Sequence, residues 1–217
     1  MIQSTRVKPY NSVPFSTGDF VLYWMQQSIR TRYNHALEFA IDAANDLGLP
    51  LYVVFGLTDG YPEANARHYT FLLQGLKDVQ DNLAKRGIPF AVLLGSPDEV
   101  AIKCSSNAKL VVMDCGYTHI QRTWRRNVAR QLTKPLFQVE SDVIVPVDVA
   151  STKDEWAAAT LRPKIHKHLE TYLVPLPETR LEYHGILPWK NGIDLTNIPA
   201  TVSTLKVDHS VPATTHY

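Results

Sequence analysis

Three features of the sequence predict an α/β fold, a Rossmann-like three-layer αβα sandwich. Strand-length apolar runs alternate with segments of helical period along residues 20–139. The runs Phe20–Met25, Leu51–Leu57 and Leu110–Cys115 are apolar at nearly every position, as strands covered on both faces are. Short loops join the segments, so each strand feeds a right-handed crossover. A five-stranded parallel sheet of order 3-2-1-4-5 follows, with Phe20–Met25 at its centre, helices on both faces and a long irregular carboxyl-terminal tail.

Residues 1–18 hold Pro9, Pro14 and Gly18 without sustained periodicity and read as an arm. After the first strand and a polar loop, Asn34 can cap a helix with Leu37, Ala40, Ile41, Ala44 and Leu47 on one face, ended by Gly48 and Pro50. Strand two, Leu51–Leu57, leads through a turn-rich loop to a helix over Ala66–Arg86, whose stripe is Tyr69, Leu72, Leu73, Leu76, Val79 and Leu83. Ile88–Leu94 is the third strand. Ser96, Pro97 and Glu99 then spell a capping serine, a first-turn proline and a capping-box acid. Leu110–Cys115, a helix over Ile120–Leu132 and the strand Leu136–Val139 complete the core. Beyond it, Val143–Val147 reads as extended and Leu161–Leu173 as a short basic helix. From Val174 onward, Pro175, Pro177, Pro188, Pro199 and Pro212 mark a tail without its own core. The expected organisation is an α/β domain over 1–173 and a linker or wrapping segment over 174–217.

Composition narrows the function classes. With 22 Lys and Arg against 21 Asp and Glu, the net charge of +1 gives no global field for coating nucleic acid. Cys104 and Cys115 lack metal or CxxC spacing, and the chain opens without a charged and apolar leader, which predicts a reduced, cytoplasmic protein. The apolar runs are strand-sized, far short of the roughly 20 residues of a membrane span.

The predicted order puts a switch point between the first and fourth strands, where open α/β sheets bind ligands. There the loop Gln26–Asn34 should face Asp114–Tyr117. A carboxylate, a glycine and an aromatic suit hydrogen bonding and stacking of a planar ring; the alternative is a capped turn with a packed tyrosine. No GxGxxG, Walker, GxSxG or HExxH pattern is present, which leaves Cys115 with His119 as a weak nucleophile candidate. His166 and His168 point different ways on a helix, so no metal site is expected. Arg67-His68-Tyr69 at a helix start reads either as an anion site or as packing. Arg122, Arg125, Arg126 and Arg130 read as a solvated face around a core Trp124.

Val21-Leu-Tyr-Trp-Met-Gln26, Arg30, Asn34-His-Ala-Leu37, Arg67-His-Tyr69, Phe71-Leu-Leu73, Gly75-Leu76, Trp124-Arg125, Val139 through Val147, Thr160-Leu-Arg-Pro-Lys164 and Asp208-His-Ser-Val-Pro212 form an ordered set. The set resembles the amino-terminal, antenna-binding half of class II cyclobutane-pyrimidine-dimer DNA photolyases, in the cryptochrome/photolyase superfamily. The resemblance implies a light-harvesting domain that binds or scaffolds an antenna chromophore, a deazaflavin in preference to a folate. It also implies a carboxyl-terminal helical domain, beyond position 217, that holds FAD and the pyrimidine-dimer DNA. The parent would be a deoxyribodipyrimidine photo-lyase, while this chain alone is expected to be inactive, with self-association through the tail open to it. By position only, the antenna crevice carries over to Trp24, Gln26, Ser28, Arg30 and Asn34 on one lip and Asp114, Gly116 and Tyr117 on the other. The alternative is a stand-alone Rossmann-like nucleotide-binding or interaction module without repair activity.

Overall fold

A computed structural model describes residues 2–211. Its sheet has six strands: β1 (Val7–Pro9), β2 (Phe20–Trp24), β3 (Leu51–Leu57), β4 (Phe90–Leu94), β5 (Ala108–Asp114) and β6 (Leu136–Val139), in the order β1-β6-β5-β2-β3-β4. The five parallel strands keep the neighbours expected of them, with β2 central between β3 and β5. The expected strand count is corrected. Val7–Pro9, within the stretch read as an arm, pairs antiparallel with β6 and makes the sheet six-stranded. This strand is too short to show alternation, and Pro9 is tolerated because the strand lies at an edge.

The helices cover both faces. Helix α1 (His35–Leu47) is capped by Asn34, which accepts from the Leu37 N–H at 3.0 Å, and ends at Gly48 with φ of 66°. That left-handed value explains the glycine. Helix α2 (Ala66–Lys85) packs with α1 on one face, over a core of β2, β3 and β4 side chains. On the other face lie α3 (Pro97–Cys104) and α4 (His119–Gln131). Ser96 precedes α3 as expected, but its hydroxyl bonds Asp98 rather than a backbone N–H, so the expected capping box is absent.

The remainder departs further from expectation. Val143–Val147 forms no strand; residues 143–146 are a loop and Val147 opens α5 (Val147–Ala150). The single helix expected at Leu161–Leu173 is two, α6 (Ala158–His166) and α7 (Leu169–Tyr172), broken at Lys167–His168. The tail folds back along the domain and forms α8 (Ile198–Ser203), with Leu181, Leu195, Val202 and Leu205 buried in the α1–α2 core. Ile186 stays 90% exposed. Pro212 and the residues after it lie outside the described residues. No helix among those described is long and apolar enough to cross a membrane.

A buried ion pair straps the tail down. Glu38 on α1 is 2% exposed and meets the Arg86 guanidinium at 2.8 Å, while the Thr179 N–H donates to the same carboxylate at 2.7 Å and Arg86 donates to the Thr179 and Thr31 carbonyls. Burial raises the Glu38 pKa, and these two partners pull it back. Removing one member of such a pair costs about 3–5 kcal/mol. Arg86→Met is therefore expected to lower unfolding stability by about that amount and to speed trypsin cleavage at Arg180; urea unfolding and limited proteolysis together check it.

Candidate functional site

The loop after β2 is built around one carboxylate. Asp114, at the end of β5, is 3% exposed and accepts from the Gln26, Gln27 and Ser28 N–H groups at 2.7, 2.9 and 3.2 Å and from the Tyr23 hydroxyl at 2.6 Å. Burial raises its pKa against the pull of all four donors. Asn34, fully buried, extends the network: its amide donates to the Tyr23 hydroxyl and to the Ser28 and Arg30 carbonyls. The Ser28 hydroxyl and the Arg30 guanidinium both meet Asp142, and Arg30 also donates to the Ser141 carbonyl. Together these bonds hold the Asp142 pKa low despite partial burial.

The two lips of the expected crevice are thus bonded to each other. The space between them, lined by Trp24, Gln26, Gln27, Asp114, Gly116 and Gln121 among others, amounts to about 10 Å³. Gln121 bonds Gln27 across it, and a Cβ on Gly116 would meet Gln121 at 2.5 Å. Trp24 is 1% exposed, its indole N–H donating to Gln26 Oε1. Tyr117 is 42% exposed and donates to Glu140. The Cys115 thiol is buried and pushed up to about 11 by that burial, which closes it to nucleophilic use. No cluster of metal ligands occurs among the described residues.

Open room lies on the other side of Gln26, above the carboxyl ends of β2 and β3. A cavity of about 490 Å³ is walled by Ile29, Phe55, Leu57, Tyr69 and Leu72, by the 58–64 loop, and by Trp124 of α4. Tyr61 and Trp124 approach with ring centroids 6.3 Å apart. Gln26 forms part of its wall, held by a reciprocal pair with Gly56: Nε2 donates to the carbonyl at 3.0 Å and Oε1 accepts the N–H at 3.2 Å. At the mouth, His68 Nδ1 accepts the Asn65 N–H in a capping box, which leaves Nε2 as the protonated nitrogen of the neutral ring. Of the eight residues expected at the site, Gln26 alone lines this cavity. Tyr61 in a turn and Trp124 on a helical apolar stripe carry no local mark of a cavity wall; the Tyr-Pro turn after the second strand, at the same carboxyl end of the sheet, is the one sequence signal for it.

Next to Asn34, His35 has its Nδ1 buried without a partner among the described residues, and burial together with Arg6 and Arg30 pushes its pKa down to about 4. The folded chain keeps this ring neutral to that point, whereas the unfolded chain protonates it near 6.5. Unfolding between the two values takes up a proton, so stability falls as pH drops from about 6.5 to 4. His35→Gln is expected to flatten that part of the Tm-against-pH curve. Asp114→Ala, which strands four donors, is expected to cost about 3–5 kcal/mol and disorder the 26–34 loop, read by denaturant unfolding and amide exchange.

The deoxyribodipyrimidine photo-lyase of Methanothermobacter thermautotrophicus is 50% identical over 177 residues, 81% of this chain and 40% of the relative. That of Potorous tridactylus is 36% identical over 160 residues, 72% of this chain and 30% of the relative. The chain therefore spans well under half the length of these relatives. An archaeal photolyase from Sulfolobus tokodaii, solved with two FAD molecules and described as implying a novel light-harvesting cofactor, superimposes with a TM-score of 0.62 at 14% identity, over 90% of this chain and 43% of its own. The DNA photolyase family matches residues 21–181, and the chain belongs to that family.

Proposed function

We propose that this chain is the antenna domain of a class II cyclobutane-pyrimidine-dimer photolyase and that a planar chromophore, a deazaflavin before a folate, lies in the cavity between Gln26, Tyr61 and Trp124. The observation that carries this reading is the cavity itself. Its volume of about 490 Å³ falls within the range of roughly 300–1,000 Å³ of small-molecule sites, and its walls are apolar and aromatic with few polar groups. Such walls fit a fused heteroaromatic ring: Trp124 and Tyr61 offer faces, and the fixed Nε2–H of His68 offers a donor to a ring oxygen. Bound there, the chromophore would absorb light and pass excitation to FAD.

In this reading the expected residues divide by role. Gln26 contacts the ring, while Trp24, Ser28, Arg30, Asn34 and Asp114 hold the loop that carries Gln26. Gly116 and Tyr117 shape the far side, where Gly116 leaves room for Gln121. The class II assignment rests on the ordered motifs from Val21-Leu-Tyr-Trp-Met-Gln26 to Thr160-Leu-Arg-Pro-Lys164. Residues 1–173 would form the antenna domain and 174–217 the path to a helical FAD-binding domain that completes a cytoplasmic, light-dependent carbon–carbon lyase acting on dimer-containing DNA.

Titration of a deazaflavin and of a folate into the wild type, Trp124→Ala and Tyr61→Ala tests the site. Stacking on each ring is worth about 0.5–1.5 kcal/mol beyond burial, so each variant is expected to bind about 2- to 10-fold more weakly, followed by chromophore fluorescence. Equal binding by all three proteins would place the chromophore elsewhere.

A further inference from the structure

The outer face of α4 carries a charge asymmetry unrelated to the cavity. Between Cys115 and Val139 stand Arg122, Arg125, Arg126, Arg130 and Lys134, with no aspartate or glutamate. Since the whole chain has 22 basic against 21 acidic residues, everything outside this stretch sums to −4. Arg125 turns inward, is 8% exposed and donates to the Gly116 carbonyl. Arg122, Arg126 and Arg130 are exposed, and among the described residues none of them joins an ion pair. They recur at i, i+4 and i+8, a spacing at which like charges repel.

A wall faces this ridge. The uncharged arm Tyr10–Pro14 and the α4 residues Arg126, Ala129 and Arg130 line an open groove of about 610 Å³. Asn11 fixes the arm in place: its amide donates to the Lys134 carbonyl at 2.9 Å and its oxygen accepts the Leu136 N–H at 3.0 Å. Arg126 is braced by the Arg122 carbonyl at 3.2 Å. The groove thus has a held shape, with Arg126 and Arg130 on one wall and Arg122 one turn beyond them on the same helix face.

We propose that this ridge and groove bind the phosphodiester backbone of nucleic acid without regard to sequence, on a surface separate from the chromophore cavity. Four helical residues rise about 6 Å, so the three arginines span about 12 Å. That is the axial length of three to four nucleotides at roughly 3.4 Å each. The planar guanidinium fork matches phosphate oxygens. A groove with one basic wall follows a single strand or one edge of a duplex better than it meets a flat lipid surface. The arginines stand out in the sequence, but a net charge of +1 favours reading them as a solvated face, because the compensating acids lie elsewhere on the molecule.

The test is fluorescence anisotropy of the 217-residue chain with undamaged single-stranded and duplex oligonucleotides, from 50 to 200 mM salt. The comparison proteins are R122Q/R126Q/R130Q, the same triple change to lysine, and K77Q/K85Q on α2. Three phosphate contacts predict a slope of about −2.7 in log K against log salt on duplex, or about a 40-fold loss of affinity across that range. The glutamine triple variant should lose affinity at 50 mM and most of the slope, with an unchanged circular dichroism spectrum. The lysine triple and the α2 control should keep the slope. Retention of affinity and slope by the glutamine triple, or no wild-type binding at 50 mM, overturns the proposal. So does loss of binding to phosphatidylserine vesicles by that variant while its oligonucleotide binding is intact.

Discussion

One buried carboxylate fixes the upper edge of this domain. Asp114 leaves β5 at the point where the sheet changes direction of winding, and its two oxygens take up three successive backbone N–H groups and a tyrosine hydroxyl from the β2 side. A loop entering solvent from a central strand would otherwise leave those donors to water. Bound to Asp114, it becomes rigid, presents Gln26 to Gly56 on β3, and delivers Asn34 to cap α1. The cavity wall, the helix start and the β2–β5 junction therefore share one anchor.

That anchor also explains why the ligand space is displaced from the switch point. In an open α/β sheet the crevice there is available only when neither loop fills it. Here the Asp114 network and the Gln27–Gln121 contact fill it, and the residual volume of about 10 Å³ is the size of a single water. The Thr58–Asn65 loop instead rises away from β3, with Glu63 at a φ of 58°, and leaves room between itself and α4.

The sequence made the parallel core legible because doubly buried strands and amphipathic helices are each written in local pattern: Phe20–Trp24 is buried at every position, as its unbroken apolar run implies. Asn34 and Gly48 likewise announced the ends of α1 through their own chemistry. Long-range chemistry was not legible. Asp114 reads as a ligand group until its partners, 86 to 91 residues away, are known. Val7–Pro9 is a strand only because β6 accepts it, and α8 holds its place by packing on α2 with Val202 in the shared core. Trp124 carries a helical period that suits a core position, and only the path of the 58–64 loop turns it into a cavity wall.

The end of the tail touches the same loop. Asp208 pairs with Asn65 in a β-bridge, its carbonyl accepts the Ala66 N–H at 2.8 Å, and the Lys206 N–H donates to Asp59 at 3.3 Å. Since α8 also packs on α2, the tail pins both ends of the loop that carries Tyr61, at Asp59 and at Asn65–Ala66. One side of the cavity is thus built by a neighbour in sequence and braced by backbone 147 residues further along the chain.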